Sequence, residues 1–354
     1  MTVTRPAHAA AVLAVSLAGS ACLLFTDLSG LEGGPDDSGT GDRDPMLEAA
    51  LLDGGGGGDG ALGTMTVLAS GLGSPTALAL DGQSVHCAVA SGVIAIAKST
   101  GAVRQLAALP DTFHLEDDGA NVFALANTPN CEGNTGSFSL MTRVSKLADG
   151  GSPPIVGRCG GPFLRMRGDP VALYRTSSSG VMRTARADGT ETTEFIAPFS
   201  EAPLGAVLPV GGFVFVVSTA NRILRITRGG AGNAFEVFAD AQPGPQDLAS
   251  DGAFVYWVND GGTVMKRAVD AALEAGAPTP LATAQSTPWR IALDAKHAYW
   301  TNLGTKNVVR VPKEGGPVEL VASGVDDPRA IAVDDSGVFI ADRSGGKVLV
   351  VPKR

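Results

Sequence analysis

From about residue 66 onward, apolar residues come in short bursts rich in Val, Ile, Leu and aromatics, each closed by Gly, Asp, Asn or Pro. No long stretch keeps the 3.6-residue spacing of an amphipathic helix, so the pattern predicts many short strands joined by tight turns. The cycle is clearest between residues 287 and 322. Arg290–Leu293 ends in the turn-forming Asp294, and His297–Asn302, Asn307–Val311 and Pro317–Ala322 follow as three more strands. The unit is therefore four strands long.

The unit recurs. Pro, two variable residues, Leu or Ile, Ala, one variable residue and Asp begin at Pro75, Pro245, Pro288 and Pro328, and the last three copies start 43 and 40 residues apart. A period near 40 with four strands per unit is the pattern of propeller blades. Blades are expected to begin near 74, 112, 163, 203, 245, 287 and 327, with the second and third degenerate and the second carrying the largest insertion. The last unit stops after Lys347–Val351, one strand short. Thr66–Pro75 aligns without gaps on Glu319–Pro328, a fourth strand running into the next blade. An N-terminal strand is thus expected to complete the last blade and close the ring, which removes an open sheet edge. The reading is an all-β, seven-bladed propeller over residues 65–354, with six or eight blades left open. The repeated Asp is explained by turn chemistry, since its carboxylate can accept the backbone N–H groups that follow.

Tyr256-Trp257-Val258-Asn259 and Tyr299-Trp300-Thr301-Asn302 resemble the YWTD repeat of low-density-lipoprotein-receptor propellers, and the Pro-x-x-Ile-Ala-Val-Asp element is similar to that of NHL-type propellers. Phe339-Ile340-Ala341-Asp342 and Phe215-Val216-Val217-Ser218 are eroded versions. The resemblance implies that these aromatics pack between blades; carbohydrate stacking by Trp257 or Trp300 is the competing expectation.

The 354-residue chain carries a formal charge of −9 that is unevenly placed. Residues 22–64 hold nine acids and one base, whereas residues 65–354 hold 27 acids and 25 bases. The propeller part is near neutral, which argues against a nucleic-acid footprint or a polybasic membrane patch. Residues 1–21 read as a signal segment: Arg5, then the apolar run Ala9–Ala21, too short to span a bilayer. The run ends in Gly19-Ser20-Ala21-Cys22, which resembles a bacterial lipobox, although Gly19 departs from it. The resemblance implies a diacylglycerol on Cys22, cleavage before it and a lipid-anchored protein of the cell envelope. Leu23 in place of Asp points to the outer membrane; cleavage by an ordinary signal peptidase is the alternative. Residues 22–64, acidic and interrupted by Gly54–Gly58, Pro35 and Pro45, cannot bury enough surface to offset their ordering entropy. They read as a disordered tether.

Export favours a disulfide. Cys131, in a long loop at Asn127–Gly136, and Cys159, at the end of the same blade's fourth strand, fall on one face and are the expected pair. Cys87 shares a face with Val85 and Val89 and reads as a buried free thiol.

The residues opening each inner strand line the channel mouth in a propeller: His114, Glu116, Gln246, Asp247, Trp289, Arg290 and Arg329. Arg290 and Arg329 suit an anion, with Trp289 as a flat platform; the plainer reading pairs them with Asp326, Asp327 or Asp247. Enzymatic propellers that this architecture resembles include gluconolactonase-like metal-dependent hydrolases and streptogramin lyases. An activity of that kind would have to use His114, Glu116 and Asp247, because His86 and His297 lie on second strands. No nucleophile elbow, phosphate loop or dinucleotide fingerprint is present. The expectation is a monomeric binding or scaffold module for a protein or small ligand, with no cofactor and no resident metal, and with a hydrolase or lyase as the alternative.

Overall fold

The computed structural model describes residues 62–131, 134–147, 163–177, 179–186, 191–196, 201–202, 204–229, 234–272 and 276–353. The signal segment, Cys22 and the acidic tether lie outside them. So do Cys159, the fourth strand read for the second blade and the Cys131 side chain, and with them the expected disulfide.

The described chain is all β, seven antiparallel sheets in sequence order. Six are four-stranded, and the second shows three strands. The inner strands are Ala77–Leu80, Thr112–Asp117, Phe163–Gly168, Leu204–Val210, Pro245–Ser250, Pro288–Leu293 and Pro328–Val333, each at one end of its sheet. In the seventh blade the outermost strand is Thr66–Ser70, antiparallel to Lys347–Pro352 with Thr66 opposite Val350. The insertion of the second blade is a strand extension. Asn121–Cys131 pairs with Asn134–Ser145 across the segment read above as a loop, because the backbone ladder runs on through it, with Asn127 opposite Ser139 and Thr128 opposite Phe138.

Blades pack face to face through the middle positions of their second strands. Trp257 and Trp300 are fully buried, the first against Phe215 and Phe238 of the preceding blade. Their indole N–H groups donate to Gln242 and Gln285, which also accept from Asn259 and Asn302. The tetrapeptides thus supply one apolar wedge and one polar clasp per blade, and neither Trp257 nor Trp300 offers a surface for a sugar. Burial of each such ring contributes about 2–3 kcal/mol. Cys87 is buried and free, and burial pushes its thiol pKa up.

The Asp that ends an inner strand has two tasks. In Asp81, Asp169, Asp251, Asp294 and Asp334, Oδ1 accepts the N–H groups two and three residues on, as from Lys296 (2.8 Å) and His297 (2.7 Å) to Asp294. Oδ2 receives a cation from the end of the third strand of the next blade. The pairs are Asp81–Lys146, Asp169–Arg228, Asp251–Lys313, Asp294–Lys353 and Asp334–Lys98, with Asp118–Arg186 at a looser 3.5 Å. Five of these cations also lie over an aromatic ring of the preceding blade, such as Lys353 over Tyr299 at 5.2 Å and Arg228 over Tyr174 at 5.1 Å. At the junction of the fourth and fifth blades both positions are valine. Val210 stands in place of the Asp and Val269 in place of the cation, and the two belong to one apolar cluster.

Candidate functional site

Inner strands pair on one side only, so their other edge faces the axis. Every candidate named from the sequence lies on such a strand, but they do not form one constellation. Gln246 stands at the rim, donating to Asp260 at 2.9 Å. Asp247 is buried, and its Oδ2 accepts the backbone N–H of Ile291 on the next blade at 3.2 Å. Its carboxylate therefore satisfies an open strand edge.

His114 and Glu116 point the same way along Thr112–Asp117, two residues apart, with His114 Nε2 3.6 Å from Glu116 Oε1. Burial pushes the His114 imidazole down from its usual range, and the neighbouring Arg167 and Arg165 add to the effect against the pull of Glu116. Burial works to raise the Glu116 carboxyl, but Arg167 and His114 outweigh it, so the group sits below its usual range and is ionised. Arg167 donates to Glu116 at 3.3 Å.

Trp289 organises the other half of the mouth. The guanidinium of Arg290 lies 4.8 Å from its ring centroid and that of Arg329 5.3 Å. Arg329 Nε is 2.7 Å from Asp327, which also holds Arg343, but is not aligned to donate to it. The Arg290 guanidinium donates to the carbonyl of Trp289, at 3.2 Å, and has no carboxylate at ion-pair distance among the described residues. Burial, then Arg165, Arg167 and Arg329 against partial relief from Asp247, push its pKa down to about 9. A guanidinium gives up its proton with great reluctance. The direction follows first from loss of water around the guanidinium and then from the neighbouring arginines, against which Asp247 works.

Arg165 and Arg167 were not among the residues singled out from the sequence. Phe163-Leu164-Arg165-Met166-Arg167-Gly168-Asp169 lacks the Pro and the Ile-Ala of the repeat, but its Gly-Asp turn aligns with the strand ends of the regular blades. That alignment was the available signal. On the side of the mouth toward the Asp turns, the channel widens into a cavity of about 430 Å3 that Glu116 and Arg167 also line.

Among the described residues, the group with three carboxylate or imidazole ligand atoms within 4.8 Å of one another is Asp81, His86 and Asp117, not His114, Glu116 and Asp247. There the ammonium of Lys146 sits 2.9 Å from Asp81 and 2.7 Å from Asp117, and also donates to the carbonyl of Gly119. It supplies the positive charge that a metal ion would. His86 takes the place of the tyrosines of other blades, its Nε2 3.0 Å from Asp81. Burial holds its pKa below the usual range.

No family model matches the chain, and no curated protein sequence does. Solved structures do. The WD40 β-propeller domain of Doa1 superposes with a TM-score of 0.67 at 10% identity, over 82% of this chain and 96% of that one. A catalytically inactive virginiamycin B lyase from Staphylococcus aureus, crystallised with quinupristin, gives 0.62 at 16% over 83% and 99%. The PQQ-bound aldose sugar dehydrogenase from Streptomyces coelicolor gives 0.52 at 15% over 84% and 99%. This chain is a β-propeller. At such identities the likeness is one of fold, and the fold is shared by a lyase, a dehydrogenase and a WD40 domain alike.

Proposed function

We propose that the propeller is a binding module for a small anion, held at the channel mouth by Arg290 and Arg329 against the platform of Trp289. The observation that carries this reading is the half-buried Arg290 guanidinium, stacked on Trp289 beside Arg329 with no carboxylate at ion-pair distance among the described residues. An oxyanion would provide the missing charge and accept from planar N–H forks already ordered on the indole. In the same reading the module is exported and tethered by a lipid on Cys22 to the bacterial outer membrane, the acidic segment holding it off the surface.

The test is titration of the purified protein with inorganic phosphate, followed by tryptophan fluorescence. Trp257 and Trp300 are fully buried, so the response reports Trp289. Saturable quenching that disappears in Arg290→Met supports the reading; no response up to tens of millimolar overturns it. The address is tested by intact mass of the native protein, where an acylated Cys22 at the N-terminus is expected and an unmodified one would refute the anchor.

A second reading, a hydrolase or lyase, draws on His114 with Glu116 beside it, since a neutral imidazole can take a proton. It is disfavoured because Asp247 is committed to the Ile291 N–H, leaving the pair without a third group. Turnover of a lactone or cyclic depsipeptide that His114→Asn abolishes would reverse this preference.

A further inference from the structure

Resting on the anion reading, we infer that the ligand is an acidic sugar: a small molecule that joins one oxyanion group to a body carrying several hydroxyls. The oxyanion is placed by Arg290 and Arg329. The body is placed by what lies inward of them. Glu116, 3.6 Å from His114 and bonded to Arg167, lines the cavity of about 430 Å3 together with Arg167 and Ile291, the residue after Arg290, so the cavity adjoins the charged mouth. That volume suits a small metabolite.

The chemistry of the wall decides between an alkyl and a hydroxylated body. Apolar side chains such as Leu78, Leu208 and Ile331 contribute to it, but so do Glu116, Arg167 and Ser250. More important, the wall is built from the inner strands, whose axial edges have no neighbouring strand. Each such edge offers backbone N–H and C=O groups that must find partners. The protein itself shows the need: Asp247 is spent on the edge N–H of Ile291. An alkyl chain entering here would strip water from these groups and leave them unpaired, at about 1–3 kcal/mol for each one buried. Hydroxyls, which both donate and accept, replace the water group for group. Glu116 is held ionised by Arg167 and can accept a charge-assisted hydrogen bond from a sugar hydroxyl.

The experiment uses the full propeller and four probes read by Trp289 fluorescence and calorimetry: glucose 6-phosphate, glucuronate, hexyl phosphate and inorganic phosphate. The expected result is that glucose 6-phosphate or glucuronate binds at least tenfold tighter than inorganic phosphate and tighter than hexyl phosphate. Whichever of the two wins assigns the oxyanion as phosphate or carboxylate. In Ala292→Phe, which fills the cavity from its wall, that advantage is expected to vanish while phosphate affinity stays unchanged. Equal binding of all phosphates would overturn the inference and leave the anion reading standing. Tighter binding of hexyl phosphate would overturn it in favour of an apolar body. No binding of any probe would overturn both. A circular dichroism spectrum and melting temperature matching wild type establish that Ala292→Phe is folded; if it is not, Ala332→Phe, from the next blade's share of the same wall, replaces it.

Discussion

Lys98, at the end of the third strand of the first blade, donates to the carboxylate of Asp334 in the seventh, across 236 residues of sequence. The pair bridges the junction at which the ring closes, beside the N-terminal strand Thr66–Ser70 on Lys347–Pro352. Both side chains are mostly shielded, and Lys98 also lies over Phe339 at 5.3 Å and donates to the carbonyl of Asp81. A double-mutant cycle of Lys98→Met and Asp334→Asn, read by urea unfolding, should give a coupling of about 1–2 kcal/mol. Additive effects would show that the closure relies on strand pairing alone.

The valine pair at the junction of the fourth and fifth blades makes the opposite case. Val210 and Val269 replace Asp and Lys together, which is what packing requires. Either charge alone would be buried without a partner, at a cost of several kcal/mol. Val269→Lys should therefore lower stability by about 2–4 kcal/mol, and Val210→Asp added to it should recover part of the loss, measured by chemical denaturation. A double variant no more stable than the single would refute the equivalence of the two positions.

The turn aspartates set the acid limit of stability. Burial works to raise the carboxyls of Asp81, Asp251, Asp294 and Asp334, but their lysine and turn N–H partners outweigh it, and all four sit below the usual range. A carboxyl with a folded pKa below its unfolded value of about 3.9 contributes stability that is complete above that value and lost as pH falls through the folded one. Thermal unfolding of wild type and Asp294→Asn should differ most above about pH 5 and converge toward pH 2. A gap independent of pH would mean that the turn geometry, not the charge, is what Asp294 contributes.

How much of this was legible beforehand follows from what repeats. The strand cycle, the turn Asp and the offset N-terminal strand recur with a fixed spacing, so blade boundaries at Pro245, Pro288 and Pro328 could be read directly. The cations Lys98, Lys146, Arg186, Arg228, Lys313 and Lys353 recur as well, but a base after a strand looks like an ordinary solvated end until the neighbouring blade is placed. The mouth was half legible: Trp289 and Arg290 follow a clear proline, whereas Arg165 and Arg167 sit in a blade whose repeat is eroded. Asp247 stands where the sequence suggests a ligand but serves a backbone edge, because an unpaired N–H on Ile291 leaves no mark in sequence.

Lys146 offers the sharpest test of charge against chemistry. Its ammonium fills the space between Asp81, Asp117 and His86, two carboxylates and an imidazole close enough to share one ion. Replacing it with Met leaves two carboxylates facing each other with no cation, which should destabilise the propeller by about 2–4 kcal/mol. Zinc takes one His and two carboxylates readily, with a water in the fourth place. Lys146→Met should therefore melt lower than wild type in chelator and recover on addition of zinc, while wild type does not respond. The recovery should fade as pH falls, because only neutral His86 can coordinate zinc. If zinc leaves the variant's melting temperature unchanged, the geometry of the three groups is set by the lysine and does not survive its removal.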